Sequence, residues 1–183
     1  MTGANRPRQL DPLLLALRVI VYLLIGLLCF AAFVCVLLIP FALFFGEYII
    51  AELAAEGIAA TTAANGWLAL FCALAAAALI AVIYLFWNLL AIVDTVRDGD
   101  PFVPANADRL TRMAWLGVVA HAIGFLMVWP GVHVAEAFSA PGEVVDFDLD
   151  FDGTGLILIL VLFVLARVFR QGAAMRDDLE GTV

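Results

Sequence analysis

Lysine is absent from this chain. All nine basic residues are arginines, and they occupy three stretches: Arg6, Arg8 and Arg18; Arg97, Arg109 and Arg112; Arg167, Arg170 and Arg176. Two other stretches, 46–66 and 136–152, contain no basic residue at all. Cysteine is scarce, and Cys29, Cys35 and Cys72 each lie inside an apolar run. Without a CxxC pair or a cysteine in a polar connection, no disulfide framework is expected, and the three read as small buried hydrophobes. The chain also lacks a phosphate-binding glycine loop, an HExxH pair and any nucleophile–base pairing. It is therefore read as a non-enzyme, with no catalytic residue and no cofactor.

What the chain has in excess is apolar surface. Of its 183 residues 66% are hydrophobic, with a mean hydropathy of +1.10. A soluble domain is about 45–50% apolar, and one modest core cannot absorb the difference. Lipid is the solvent that can. Four apolar runs follow, at 13–45, 67–93, 113–135 and 153–170. About 20 apolar residues in a helix cross a hydrocarbon core of about 30 Å. The first three runs satisfy this. The fourth has only 14 uncharged residues, 153–166, before Arg167, whose long side chain can reach the headgroups. The fold class expected is an all-α membrane protein, a single four-transmembrane-helix bundle with a short β segment admitted in the second outer loop.

The charge pattern sets the expected topology. Cytoplasmic loops of membrane proteins are enriched in Lys and Arg. With four crossings, every arginine lies on one side, and the acids Glu47, Glu52, Glu56, Glu136, Glu143, Asp146, Asp148, Asp150 and Asp152 lie on the other. Both termini are thus expected inside. The first run is far longer than the 7–15 residues of a signal peptide core, so an uncleaved signal-anchor is expected. The net charge of -8 misleads as a total, because the charges are sorted by position; no direct nucleic-acid partner is expected. The partner expected is the bilayer itself. The arginine-only basic set and the abundant alanine hint at a GC-rich bacterial genome.

Within the runs, Ala69, Ala73, Ala77 and Ala81 recur every four residues, and Ala114, Gly117, His121 and Gly124 share a face by 3–4 spacing. Small stripes let transmembrane helices approach closely. The two faces are expected to meet, runs two and three forming an antiparallel pair; a homo-oligomer surface is the alternative. His121 is the one ionisable group deep in a span. It reads as a hydrogen-bonded packing histidine, or as an intramembrane polar site with Asn88 and Tyr84. His133 and Trp67, Trp87, Trp115 and Trp129 read as interfacial residues.

In the second outer loop, Asp146 to Asp152 alternate acid with apolar, the period of a strand. Asp148, Asp150, Asp152 and Gly153 begin like a calcium loop, but its twelfth position is Ile159, where a glutamate is required. A weak cation site on 146–152 is left open. In the middle connection, Gly99, Pro101 and Pro104 mark a turn, with Pro104 opening a helix on which Asp108 and Arg112 are i,i+4 partners.

The turn Gly99-Asp100-Pro101-Phe102, then Asn106 and Leu110 ahead of the third run, forms one half of a pattern. The other half is the tail Val164-Leu165-Ala166-Arg167-Val168-Phe169-Arg170-Gln171-Gly172 with Asp177-Asp178-Leu179-Glu180-Gly181-Thr182-Val183. Together, in four spans of this length, they resemble the bacterial membrane family called domain of unknown function 2975. The resemblance implies a small four-span inner-membrane protein and, from its usual company, a cytoplasmic helix-turn-helix regulator as partner. It carries over no catalytic residue. Gly99, Pro101, Phe102, Asn106, Phe169 and Gly172 become the candidate inner-face interaction residues. The functional expectation is an interaction or regulatory membrane protein, with a small oligomeric transporter or channel as the alternative.

Overall fold

A computed structural model describes residues 12–55, 62–137, 139 and 153–180. Four helices account for all but 98–103 and 139 of these: α1 Pro12–Ala55, α2 Thr62–Arg97, α3 Pro104–Ala137 and α4 Gly153–Glu180. All four are long and apolar enough to cross a membrane. This is a multi-pass, all-α membrane protein. In hydrocarbon every backbone N–H and C=O needs a partner within the segment, which a helix supplies.

Each helix outlasts the apolar run that marks it. α3 begins at Pro104, and α4 continues to Glu180. The helical ladder does not stop where the lipid stops, because polar residues such as Arg109 and Gln171 support it equally well. At about 1.5 Å per residue, the 28 residues of α4 extend about 42 Å, well past a hydrocarbon core of about 30 Å.

Among the described residues there is no strand. The β segment and the weak cation site read within 144–152 fall outside the described residues.

The bundle is open. α1 packs on α2, α2 on α3 and α3 on α4, and among the described residues no other pair of helices comes into backbone contact. Side chains from three helices close over one core: Ile92 from α2, Leu110, Met113 and Ala114 from α3, and Leu162 and Ala166 from α4. Val21 and Ile25 of α1 pack with Leu90 of α2 in a second, smaller cluster. Outside these seams large apolar side chains point away from the protein. Phe30 is 65% exposed and Phe44 82%. That is a surface suited to acyl chains rather than water.

Helix pairing departs from the stripes read in the sequence. On α2, Ala69, Cys72 and Ala76 are buried, whereas Ala73 and Ala77 are exposed. A strict four-residue repeat drifts about 40° per step around a helix of 3.6 residues per turn, so alternating steps of three and four hold the seam. On α3, Gly117 faces α4 rather than the alanines of α2: a Cβ on it would stand 2.9 Å from Cγ1 of Ile159. Gly124 has open space beside it.

Candidate functional site at the arginine-rich end

The chain leaves α2 through a defined cap. Asp100 N–H donates to the Thr95 carbonyl and Gly99 N–H to the Val96 carbonyl, both at 3.0 Å. These are the paired bonds of a Schellman motif. Its C′ residue must take positive φ, and Gly99 has φ +83°. The cap turns the chain so that Pro101 comes back to Asn106 and Phe102 lies against α4.

Asn106 locks this turn. Its side chain is fully buried. Nδ2 donates to Thr95 Oγ1 at 2.7 Å and to the Pro101 carbonyl at 2.9 Å, while Oδ1 accepts from the Arg109 guanidinium at 2.8 Å. Arg109 also donates to the Ala91 carbonyl at 3.1 Å, and Thr95 Oγ1 donates to the Ile92 carbonyl at 2.7 Å. One amide thus holds a helix end, a turn and the following helix. A buried polar group is tolerable only when so satisfied, and no buried side-chain N or O among the described residues lacks a partner.

α4 closes the other side. The Phe102 and Phe169 rings pack at 5.4 Å between centroids. Gly172 leaves room for them: a Cβ there would stand 2.7 Å from Phe102 Cδ1. Arg176 pairs with Asp100, and Arg170 with Asp108 at 3.3 Å. The i,i+4 spacing predicts that Asp108 pairs with Arg112 along α3. Asp108 reaches across to α4 instead, leaving Arg112 exposed. At the start of α1, Arg18 meets Asp94 of α2 at 3.3 Å and lies over the Tyr22 ring. The first turns of α1 and α3 and the last turns of α2 and α4 therefore share one end of the bundle.

All six inner-face candidates meet here. Gly99 caps α2, the Pro101 carbonyl accepts from Asn106, and Phe102, Phe169 and Gly172 form one contact. They hold the end together, and only part of this surface is free for another molecule. Thr95, Arg109, Asp100 and Arg176 belong to the same assembly and are not among the candidate interaction residues read from the sequence. Their signal is weak, since polar residues near a span end are ordinary.

The intramembrane candidates are not brought together. Asn88 Nδ2 donates to the Tyr84 carbonyl on its own helix at 2.8 Å. His121 Nδ1 lies 3.1 Å from the Gly117 carbonyl, and its ring fills the notch at Gly155, where a Cβ would stand 2.1 Å from Nε2. At the opposite end of the bundle His133 sits between Trp67 and Trp129, with ring centroids at 4.6 and 5.1 Å. Its Nδ1 is 3.4 Å from Glu136 Oε2. These rings tie the start of α2 to the end of α3.

The family model described as "Protein of unknown function (DUF2975)" matches residues 49–183. The chain belongs to this family. No curated protein and no solved structure matches it. The matched region contains the whole of the α2–α3 turn and α4.

Proposed function

We propose that this member of the family is a platform in the bacterial cytoplasmic membrane, with both termini inside, that docks a cytoplasmic protein on its arginine-rich end. The observation that carries this reading is the tying of the α2–α3 turn to the extended end of α4 through Phe102–Phe169 and Arg176–Asp100, with Asn106 holding the turn itself. A turn that served only to reverse the chain would not need a second helix fastened to it beyond the apolar region. The fastening supports a shaped surface. Around it, Val96, Arg97, Gln171 and Met175 are exposed.

The orientation follows from the arginines. Arg18, Arg97, Arg109, Arg112, Arg167, Arg170 and Arg176 lie on the helix segments at this end, and positive charge favours the cytoplasmic side. The partner that the family resemblance implies is a small helix-turn-helix regulator held at the membrane. In this reading the protein is a regulatory or interaction component without catalytic residues.

The test is affinity capture of the tagged full-length protein from its native host after crosslinking. Wild type is expected to recover a cytoplasmic helix-turn-helix protein. Recovery should fall in an Arg97→Glu, Met175→Ser double variant, whose side chains take no part in the Asn106 or Phe102 contacts. Recovery of the protein's own copies alone would overturn the proposal.

A further inference from the structure

The α3–α4 seam has two edges. One edge carries Phe102 and Phe169 and is occupied by the α2–α3 turn. The other faces outward from the bundle, and its residues recur by three and four along both helices. At one rung Asp108 pairs with Arg170 at 3.3 Å. Two turns deeper, Trp115 meets Phe163 edge-on, with ring centroids 5.7 Å apart.

Between these rungs, on the same edge, come Arg112 of α3 and Arg167 of α4. Both are exposed, and neither has an ion pair or hydrogen bond among the described residues. Asp108, the acid on this edge, is held by Arg170. Asp177 lies further along α4, beyond Arg170. Two like charges are thus left exposed one turn from an aromatic pair.

Deeper along the same seam the helices leave an open, groove-like cavity of about 660 Å³, lined by Val118, His121, Ala122 and Leu126 of α3 with Leu156 and Leu160 of α4. It begins six residues past Arg112, about 9 Å deeper, and continues to about 21 Å. Its walls are apolar. The His121 imidazole is turned into the Gly155 notch and so closes one wall with ring carbon and nitrogen.

We infer that this edge binds one anionic glycerophospholipid from the leaflet at the arginine-rich end. Its phosphate lies between Arg112 and Arg167, and an acyl chain passes Trp115 and Phe163 into the α3–α4 cavity. Two unpaired arginines select negative charge, and basic sites between helices on the cytoplasmic side suit anionic headgroups. The aromatic pair sits where rings are favoured at a membrane interface. The spacing from arginines to cavity fits a lipid and leaves a free anion without use for the groove. This inference does not depend on the docking of a cytoplasmic partner.

The experiment is native mass spectrometry of the full-length protein in detergent, titrated with phosphatidylglycerol or phosphatidylcholine of matched chains. Each arginine near the surface contributes roughly a factor of five toward anionic lipid. Wild type is therefore expected to prefer phosphatidylglycerol by about 25-fold, and Arg112→Gln with Arg167→Gln to bring the ratio near one. Ala122→Phe, which keeps both arginines and fills the cavity, is expected to weaken both lipids about equally. Absence of a preference in wild type, or a preference that survives the double glutamine variant, overturns the inference. So does unchanged binding in Ala122→Phe. Inorganic phosphate in excess is expected to leave lipid binding intact; if it displaces the lipid, the site is one for free phosphate and the inference fails.

Discussion

The Phe102 ring lies against Gly172, occupying the space in which any larger residue at 172 would place its Cβ, 2.7 Å from Cδ1. That contact joins a turn to a helix 70 residues later in the chain. Because the ring is 43% exposed, it can shift at modest cost. Gly172→Ala is expected to destabilise the protein by about 1 kcal/mol, measured as thermal unfolding in detergent. Phe102→Ala should remove most of the penalty from Gly172→Ala, so the double variant is less than additive. Full additivity would place the two residues apart.

Asn106 is the buried amide that bonds Thr95, the Pro101 carbonyl and Arg109 together. Asn106→Ala removes all three bonds and leaves the Pro101 carbonyl without its donor, and is expected to cost about 2–3 kcal/mol. Asn106→Leu, which restores volume but no hydrogen bond, should be no better. A leucine variant as stable as wild type would show that packing alone holds the turn.

Gly99 takes a φ of +83°, a conformation that costs a residue with a Cβ roughly 1–2 kcal/mol. Gly99→Ala should lower the unfolding temperature, and Gly99→Asn should lower it less, since asparagine tolerates this region better. Equal effects from the two would point to sterics at the turn instead.

The imidazole of His121 and the backbone of Gly155 occupy adjoining space. Gly155→Ala is expected to force α4 away or turn the ring, destabilising by about 1–3 kcal/mol. His121→Ala in the same chain should recover part of that loss. If His121 acted in a proton or substrate path, His121→Ala alone would change transport in vesicles while leaving stability untouched. The packing role predicts the reverse.

Orientation can be read with single cysteines in a background lacking Cys29, Cys35 and Cys72. Ser139→Cys at the acidic end is expected to react with an impermeant maleimide added to intact cells. Met175→Cys on α4 should react only after lysis. Labelling of Met175→Cys in intact cells would invert the proposed topology.

The α2–α3 turn is legible in the amino-acid sequence. Gly99, Pro101 and Pro104 are residues whose backbone preferences hardly depend on surroundings, and each does what its chemistry demands. The alanine stripe of α2 is less legible. Ala73 and Ala77 resemble Ala69 and Ala81 in every local respect, yet only the latter pair is buried. Periodicity says which residues share a face, and nothing in it says which neighbour that face meets. The pairing of Asp108 with Arg112 fails for the same reason. A local i,i+4 partner is available, but Arg170 of α4 takes the carboxylate in the folded chain.

By itself the sequence determined four helices and a common end for the arginines. Apolar runs of this length have no stable backbone structure in lipid other than a helix, and charge sorts across a membrane by loop rather than by contact. Tertiary structure alone decided the rest: the open order α1–α2–α3–α4, the pairing of Arg170 and Arg176 with Asp108 and Asp100, the notch that receives His121, and the meeting of Trp115 with Phe163 along the outward edge of α3 and α4. Those depend on rotation and register between helices. In lipid, where apolar surface has no preference for protein over acyl chain, close packing of a few glycines and alanines sets both.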